Sequence, residues 1–217
     1  MTYQLLFFNA SVQADIQDWP TQVFASFVRI AEQMEVSGPN LGLPYTKAMG
    51  GGLFEIRARG SEGIGRAFFC CMKEQKILVL NGFIKKTQTT PRRELRLAIK
   101  RMEEVKMLKK GHENKATKFQ PVAFKAKEFA ERKRASDPAF KQAYDALETE
   151  FAALATLLEA RREAGLTQAE VALRMGVSQP VLARIESSLG SRKHTPSLNT
   201  LKRYAEACGK RLVISMV

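Results

Sequence analysis

The sequence predicts an α+β domain followed by an all-α domain. Three observations carry this. Up to about residue 84, short runs rich in aromatic and branched residues alternate with turn signals, the mark of strands. Beyond residue 146, apolar residues recur at helical spacing between capping residues. Between them, residues 111–135 are polar and charged, without a strong period. The expected division is 1–112, then a linker with a helical segment over 113–145, then 146–217.

Tyr3–Phe8 (YQLLFF) is the first strand. Residues 11–35 read as helical, broken at Trp19–Pro20, because proline cannot donate an interior helical hydrogen bond. Past the break, Val23, Phe27 and Ile30 form one apolar stripe, and Gly38-Pro39-Asn40 ends the helix. LGLPYTKAMGGG is read as a loop. Leu53–Arg59, Arg66–Met72 and Ile77–Phe83 then form a small antiparallel meander, turning at Ser61-Glu62-Gly63 and Lys73-Glu74-Gln75. Thr90 and Pro91 open a helix near residue 92, with Leu95, Ile99 and Met102 as its stripe. A short helix is expected around Lys125–Arg134.

In the last third, Phe151, Leu154 and Leu158 stripe a helix that Gly165 closes. Thr167-Gln168-Ala169-Glu170 is a capping box and opens the next. Gly176 ends that one, and Ser178 caps a third that tolerates Pro180 in its first turn. Ser197 starts a further helix that stops at Gly209, and RLVISMV alternates weakly as a terminal strand.

The 217 residues carry 35 Lys/Arg against 22 Asp/Glu, a formal charge of +13. Both halves are basic, so both are candidates for polyanion binding. The three cysteines, Cys70, Cys71 and Cys208, include an adjacent pair and make a poor disulfide framework, which points to a reducing cytosol. The N-terminus lacks the basic and apolar regions of a signal peptide, and no apolar run approaches the roughly 18 residues of a membrane span. No membrane partner is expected. No ligand cluster calls for a metal or other cofactor.

Residues 165–186, GLTQAEVALRMGVSQPVLARIE, are two capped helices joined by a short turn at Gly176. Val171, Ala172, Met175, Val177, Val181 and Ile185 fall where a two-helix core needs apolar groups. This is a helix-turn-helix, whose second helix enters the major groove. It resembles the Xre/lambda-repressor type over roughly residues 151–209. Gln168, at a helix N-terminus, is placed to bond a phosphate. Gln179 is placed to reach base edges, with Ser178, Val181 and Arg184 beside it in the DNA-binding set. One module buries little surface, so operator DNA is expected to be bound by a homodimer.

In the N-terminal domain, period-two alternation puts Glu55, Arg57 and Arg59 on one strand face. Arg66/Phe68/Cys70 and Ala67/Phe69/Cys71 are the two sets of the next strand, one of which joins the core. The segments LPYTKAMGGGLFEIRARG, GRAFFC and ILVLNGFIKKTQTTP resemble the phage-derived Gp49-like branch of the RelE/HigB toxins over roughly residues 1–110. The resemblance implies a RelE-like fold and a ribosome-dependent mRNA endoribonuclease. It makes Arg57, Arg66, Lys85 and Lys86 the catalytic candidates, with Arg59 a flanking RNA contact. Tyr45 is a further RNA-binding candidate, or else a loop tyrosine packing on the sheet, and the basic run beyond Lys85 adds Arg92 and Arg93, or else these form a solvated face. Cleavage would proceed by 2′-hydroxyl attack without a metal, clustered cations stabilising the phosphate and Lys85 or Lys86 acting as base. Some members of the family use a late Tyr, or His and Asp, for proton transfer. This domain has no tyrosine after Tyr45, and the chain's two histidines, His112 and His194, lie outside its strands.

The C-terminal part resembles the HigA-type antitoxins, upstream to about residue 120. The whole therefore resembles a toxin and its antitoxin in one chain, with the helical segment over 113–145 contacting the toxin, within one chain or between chains. The antitoxin part would restrain the toxin and repress its own promoter. The alternatives are a DNA-binding regulator whose toxin-like domain no longer cleaves, and a ribonuclease released by proteolysis of the linker.

Overall fold

The computed structural model describes residues 2–85, 91–108, 118–188 and 196–214. The chain divides into two compact units, Met1–Asn40 with Tyr45–Ala146, and Leu41–Pro44 with Leu147–Val217.

The first unit runs β1 (Gln4–Phe7), α1 (Ala10–Gln17), α2 (Thr21–Ser37), β2 (Thr46–Gly50), β3 (Leu53–Gly60), β4 (Gly63–Met72), β5 (Lys76–Ile84), α3 (Arg92–Leu108), β6 (Val122–Phe124), α4 (Ala126–Ser136) and α5 (Pro138–Asp145). The sheet is larger than the expected meander. Its six strands lie in the order β2-β3-β4-β5-β1-β6. β1 runs parallel to β5, and β6 pairs antiparallel with β1. β2 forms inside the stretch expected to be a loop, because Thr46–Ala48 pair with Phe54–Ile56 before the glycines turn the chain.

Three glycines show which face is which. A Cβ on Gly65 or Gly82 would strike Trp19, and one on Gly60 would strike the α2 backbone at Val23. Gly60, Gly65 and Gly82 therefore let α1 and α2 lie close on one face. Alternation sends Glu55, Arg57, Arg59 and Arg66 to the other face, where α3 covers part of the sheet with Ala98, Met102 and Val105. The expectation that one β4 set would join the core is too narrow: Phe68 and Phe69, from opposite sets, are both fully buried.

α2 is buried nearly all round, as a helix must be when both its sides are covered. Val23, Phe27 and Ile30 belong to the expected stripe. The remainder is covered by the stretch expected to be mainly linker. α4 and α5 pack on α2, and Phe24 meets Phe129 edge-on at 5.6 Å and Phe140 at 5.7 Å. Phe124, from β6, packs edge-on against Phe7 at 5.2 Å. Each such ring contributes on the order of 2–3 kcal/mol by burial. β6, α4 and α5 are thus part of this domain's core.

The second unit is helical: α6 (Glu148–Glu163), α7 (Gln168–Arg174), α8 (Gln179–Ser188) and α9 (Leu198–Ala207). The Thr167–Glu170 capping box forms with both of its hydrogen bonds, and Ser197 caps α9. Gly165, Gly176 and Gly209 take positive φ where they end their helices. The core joins Leu157, Val171, Ala172, Met175, Leu182, Tyr204, Ala207 and Cys208. Arg211–Ile214, the described part of the expected terminal strand, is not in a strand.

Candidate nucleic-acid interfaces

The first candidate interface is the open part of the sheet face opposite α2. β3 and β4 are in register there, with Arg57 directly across from Arg66 and Glu55 across from Phe68. The Arg57 backbone is fixed from the other side, its N–H donating to the Tyr45 carbonyl at 2.8 Å. The two arginines are not equivalent. Arg66 is only 3% exposed and Glu55 only 4%. One Glu55 oxygen, Oε2, accepts from Arg66 Nη1 at 2.9 Å and lies 3.6 Å from Arg57 Nε. Burial pulls both guanidinium pKa values below their ordinary value, while the Glu55 carboxylate supports the charged forms. Two cations against one anion leave this buried group positive.

Around it, Arg59 is exposed and Lys85 half-buried, on the same face by alternation. Lys85 continues the sheet, its N–H donating to Ile64 O at 2.8 Å. Lys86 lies outside the described residues. Arg92 and Arg93 are exposed in the first turn of α3. Tyr45 is buried, which suits the packing alternative rather than an RNA contact. His112 and His194 also lie outside the described residues. Asn81, across from Phe68, holds α3 by donating to the Glu94 carboxylate at 2.8 Å. Glu55 and Asn81 were not among the expected site residues. The sequence signal for Glu55 was the alternation that placed a carboxylate beside Arg57.

The second candidate interface is α8. Ser178, Gln179, Val181 and Arg184 are all exposed, in the first two turns or just before them. Val181, expected in the two-helix core, is 37% exposed, and Leu182 fills the core at 0%. The helix sits one position further round than the expected pattern. Gln168 does not stand free for a phosphate: its amide donates to the Glu186 carboxylate and ties the start of α7 to α8. Glu186 is 1% exposed. It also accepts from the Tyr204 hydroxyl at 2.8 Å and ion-pairs with Arg161 Nε at 3.3 Å. Burial, and then the Glu186 charge, hold the Tyr204 hydroxyl pKa far above its usual range. The buried carboxylate thus sets the α7–α8 angle on which the exposed face of α8 depends.

Comparison with known proteins matches both units. Residues 14–103 match the family described as phage derived protein Gp49-like, and residues 157–214 match a helix-turn-helix family. Two curated relatives are antitoxin HigA1 of Mycobacterium tuberculosis, from strains CDC 1551/Oshkosh and ATCC 25618/H37Rv. Each is 38% identical over 78 residues, 36% of this chain and 50% of the relative. The chain thus spans about half the length of the curated relatives it matches. Among the described residues, no helix is long and apolar enough to cross a membrane. The chain joins an N-terminal Gp49-like domain, of the RelE/HigB toxin type, to a C-terminal helix-turn-helix domain of the Xre type.

Proposed function

We propose that the chain is a fused type II toxin–antitoxin protein of the cytoplasm. Its N-terminal domain is a ribosome-dependent mRNA endoribonuclease held inactive by the C-terminal part. The helix-turn-helix binds operator DNA as a homodimer and represses its own gene. The observation that carries this reading is the course of the chain beyond the Gp49-like match. Residues 122–145 return to the same domain, adding β6 to the edge at β1 and laying α4 and α5 on α2. The resemblance to HigA-type antitoxins begins at about residue 120, so this is where an antitoxin's grip on its toxin would fall. That grip is on the α2 side and the arginines are on the other. Restraint on this reading keeps the domain from the ribosome and leaves the arginines uncovered by this segment.

In the reaction, the 2′-oxygen of one nucleotide bonds to the adjacent phosphorus as the bond to the 5′-oxygen breaks, leaving a 2′,3′-cyclic phosphate. A base, Lys85 or Lys86, takes the 2′-hydroxyl proton, and the leaving 5′-oxygen gains one. Arg57 and Arg59 stabilise the charge on the phosphate oxygens from the exposed side, with Arg66 beneath them. The burial of Arg66 against Glu55 favours a second reading, in which the domain no longer cleaves and the protein is a DNA-binding regulator.

Growth after induction in bacteria separates the two. Residues 1–112 should arrest growth with mRNA cleavage at ribosomes, and Arg57→Ala should relieve it. Soluble, folded fragment without arrest would establish the regulator.

A further inference from the structure

We propose that Glu55 is a built-in counter-anion of the arginine face, holding between Arg57 and Arg66 the position that an RNA phosphate oxygen takes when the face is loaded. This rests on the reading that the face binds RNA. A single carboxylate oxygen, Oε2, serves both guanidiniums, at 2.9 Å from Arg66 Nη1 and 3.6 Å from Arg57 Nε. That is how two arginines hold one non-bridging oxygen of a phosphodiester. Glu55 meets only part of their demand. Among the described residues, the buried Nε groups of Arg57 and Arg66 have no hydrogen-bond acceptor. Arg59 adds further positive charge that acts on both. Glu94, on α3, spends its carboxylate on Asn81.

The arrangement answers a folding problem. Two guanidiniums side by side on a sheet repel, and a domain whose ligand is often absent needs something to hold them. Glu55 does this at a cost in affinity, because an arriving phosphate must compete with it. Glu55 thus tunes how tightly the face grips RNA without touching the reacting atoms. It is a positioning residue.

The test is binding of a short labelled single-stranded RNA to the full chain, across a salt series. Arg57→Ala should weaken binding, which checks the underlying reading separately. Glu55→Gln keeps shape and removes charge. It should tighten binding at least about fivefold, the weight of one unit charge about 4 Å away when fully screened by water. The slope of log affinity against log salt should steepen by about 0.7, one further phosphate engaged. The gain should vanish in Glu55→Gln/Arg57→Ala, since a general charge effect would survive there. Unchanged or weaker binding by Glu55→Gln, with Arg57→Ala still weakening it, overturns the proposal and leaves the RNA-binding reading intact. If Glu55→Gln does not fold in chloride buffer, inorganic phosphate at equal ionic strength should restore the fold. Failure of phosphate to do so overturns the proposal as well.

Discussion

The Tyr144 hydroxyl donates to both oxygens of the Glu32 carboxylate, at 2.6 and 2.5 Å, across 112 positions of sequence. Arg29, one turn before Glu32 on α2, closes the bond from the other side. Its guanidinium lies 3.6 Å from the centre of the Tyr144 ring and donates to the Tyr144 carbonyl at 3.2 and 3.3 Å. Burial pushes the Tyr144 hydroxyl pKa far above its usual range, and the Glu32 charge pushes the same way. The end of α5 is therefore fastened to α2 by charge and hydrogen bonding as well as by apolar contact.

Phe140→Ala should cost the first unit about 3–5 kcal/mol, because the ring is fully buried between Phe24 and Tyr144. Tyr144→Phe should cost about 1–3 kcal/mol, the loss of a part-buried hydrogen bond to a charged carboxylate. The chain's one tryptophan, Trp19, is buried in this unit, so its fluorescence in a urea titration follows this unfolding.

Glu35→Gln should stabilise the first unit at neutral pH. Glu35 Oε1 accepts from the Ala126 N–H at the start of α4, at 3.0 Å. Desolvation, aided by Glu32 and Glu128, raises its pKa above the ordinary 4.5. A raised carboxyl pKa means the folded state binds the proton more tightly. Its contribution is full below pH 4.5 and lost as pH rises through the raised value. Glutamine keeps an acceptor for Ala126 without the charge. The two proteins should melt together near pH 4 and separate at pH 7, glutamine higher.

Three lengths of chain locate the restraint. If β6, α4 and α5 restrain the domain, residues 1–112 should arrest bacterial growth, while 1–146 and the full chain should not. Arrest by 1–146 would assign the restraint to the second unit. Colony counts after induction, with Arg57→Ala beside each, are the measurement.

Gln179→Ala should cost operator affinity about 1–3 kcal/mol and relax preference at one base pair, read by selection from randomised DNA. Glu186→Ala should act differently. It leaves Arg161, Tyr204 and Gln168 without their shared partner and should lower the stability of the second unit by about 3–5 kcal/mol. Chemical denaturation followed by far-ultraviolet circular dichroism separates loss of fold from loss of a base contact.

Most helices and four of the six strands were legible because their residues follow one period and end on Gly, Pro or a capping side chain. β2 was hidden because Thr46–Gly50 sits among turn residues, and β6 because three residues show no period. Both become strands through partners elsewhere in the chain, Leu53–Ile56 for β2 and Leu5–Phe7 for β6. α2 did carry a sign of the layer beyond it: Phe24, Val28 and Ala31 lie outside the stripe of Val23, Phe27 and Ile30, and apolar groups there need their own cover. At the arginine face, alternation told which residues share a side. It could not tell that Arg66 lies buried against Glu55, because depth depends on how α3 and the neighbouring strands close over the sheet. On α8, the pattern was displaced by one residue, since Val181 and Leu182 are both apolar and packing alone chooses between them.

Within the sheet, β1 is made first and β6 last, yet the two are neighbours. At roughly 5–20 residues per second, β1 waits on the order of ten seconds for the strand that covers its edge. Through that interval the nascent chain exposes the aromatic side of α2 and an unpaired edge. A messenger that breaks before the codons for β6 yields the domain with its β1 edge bare and without the segment proposed to restrain it. The order of the chain thus makes the finished N-terminal domain a record that translation has already passed into the segment that covers it.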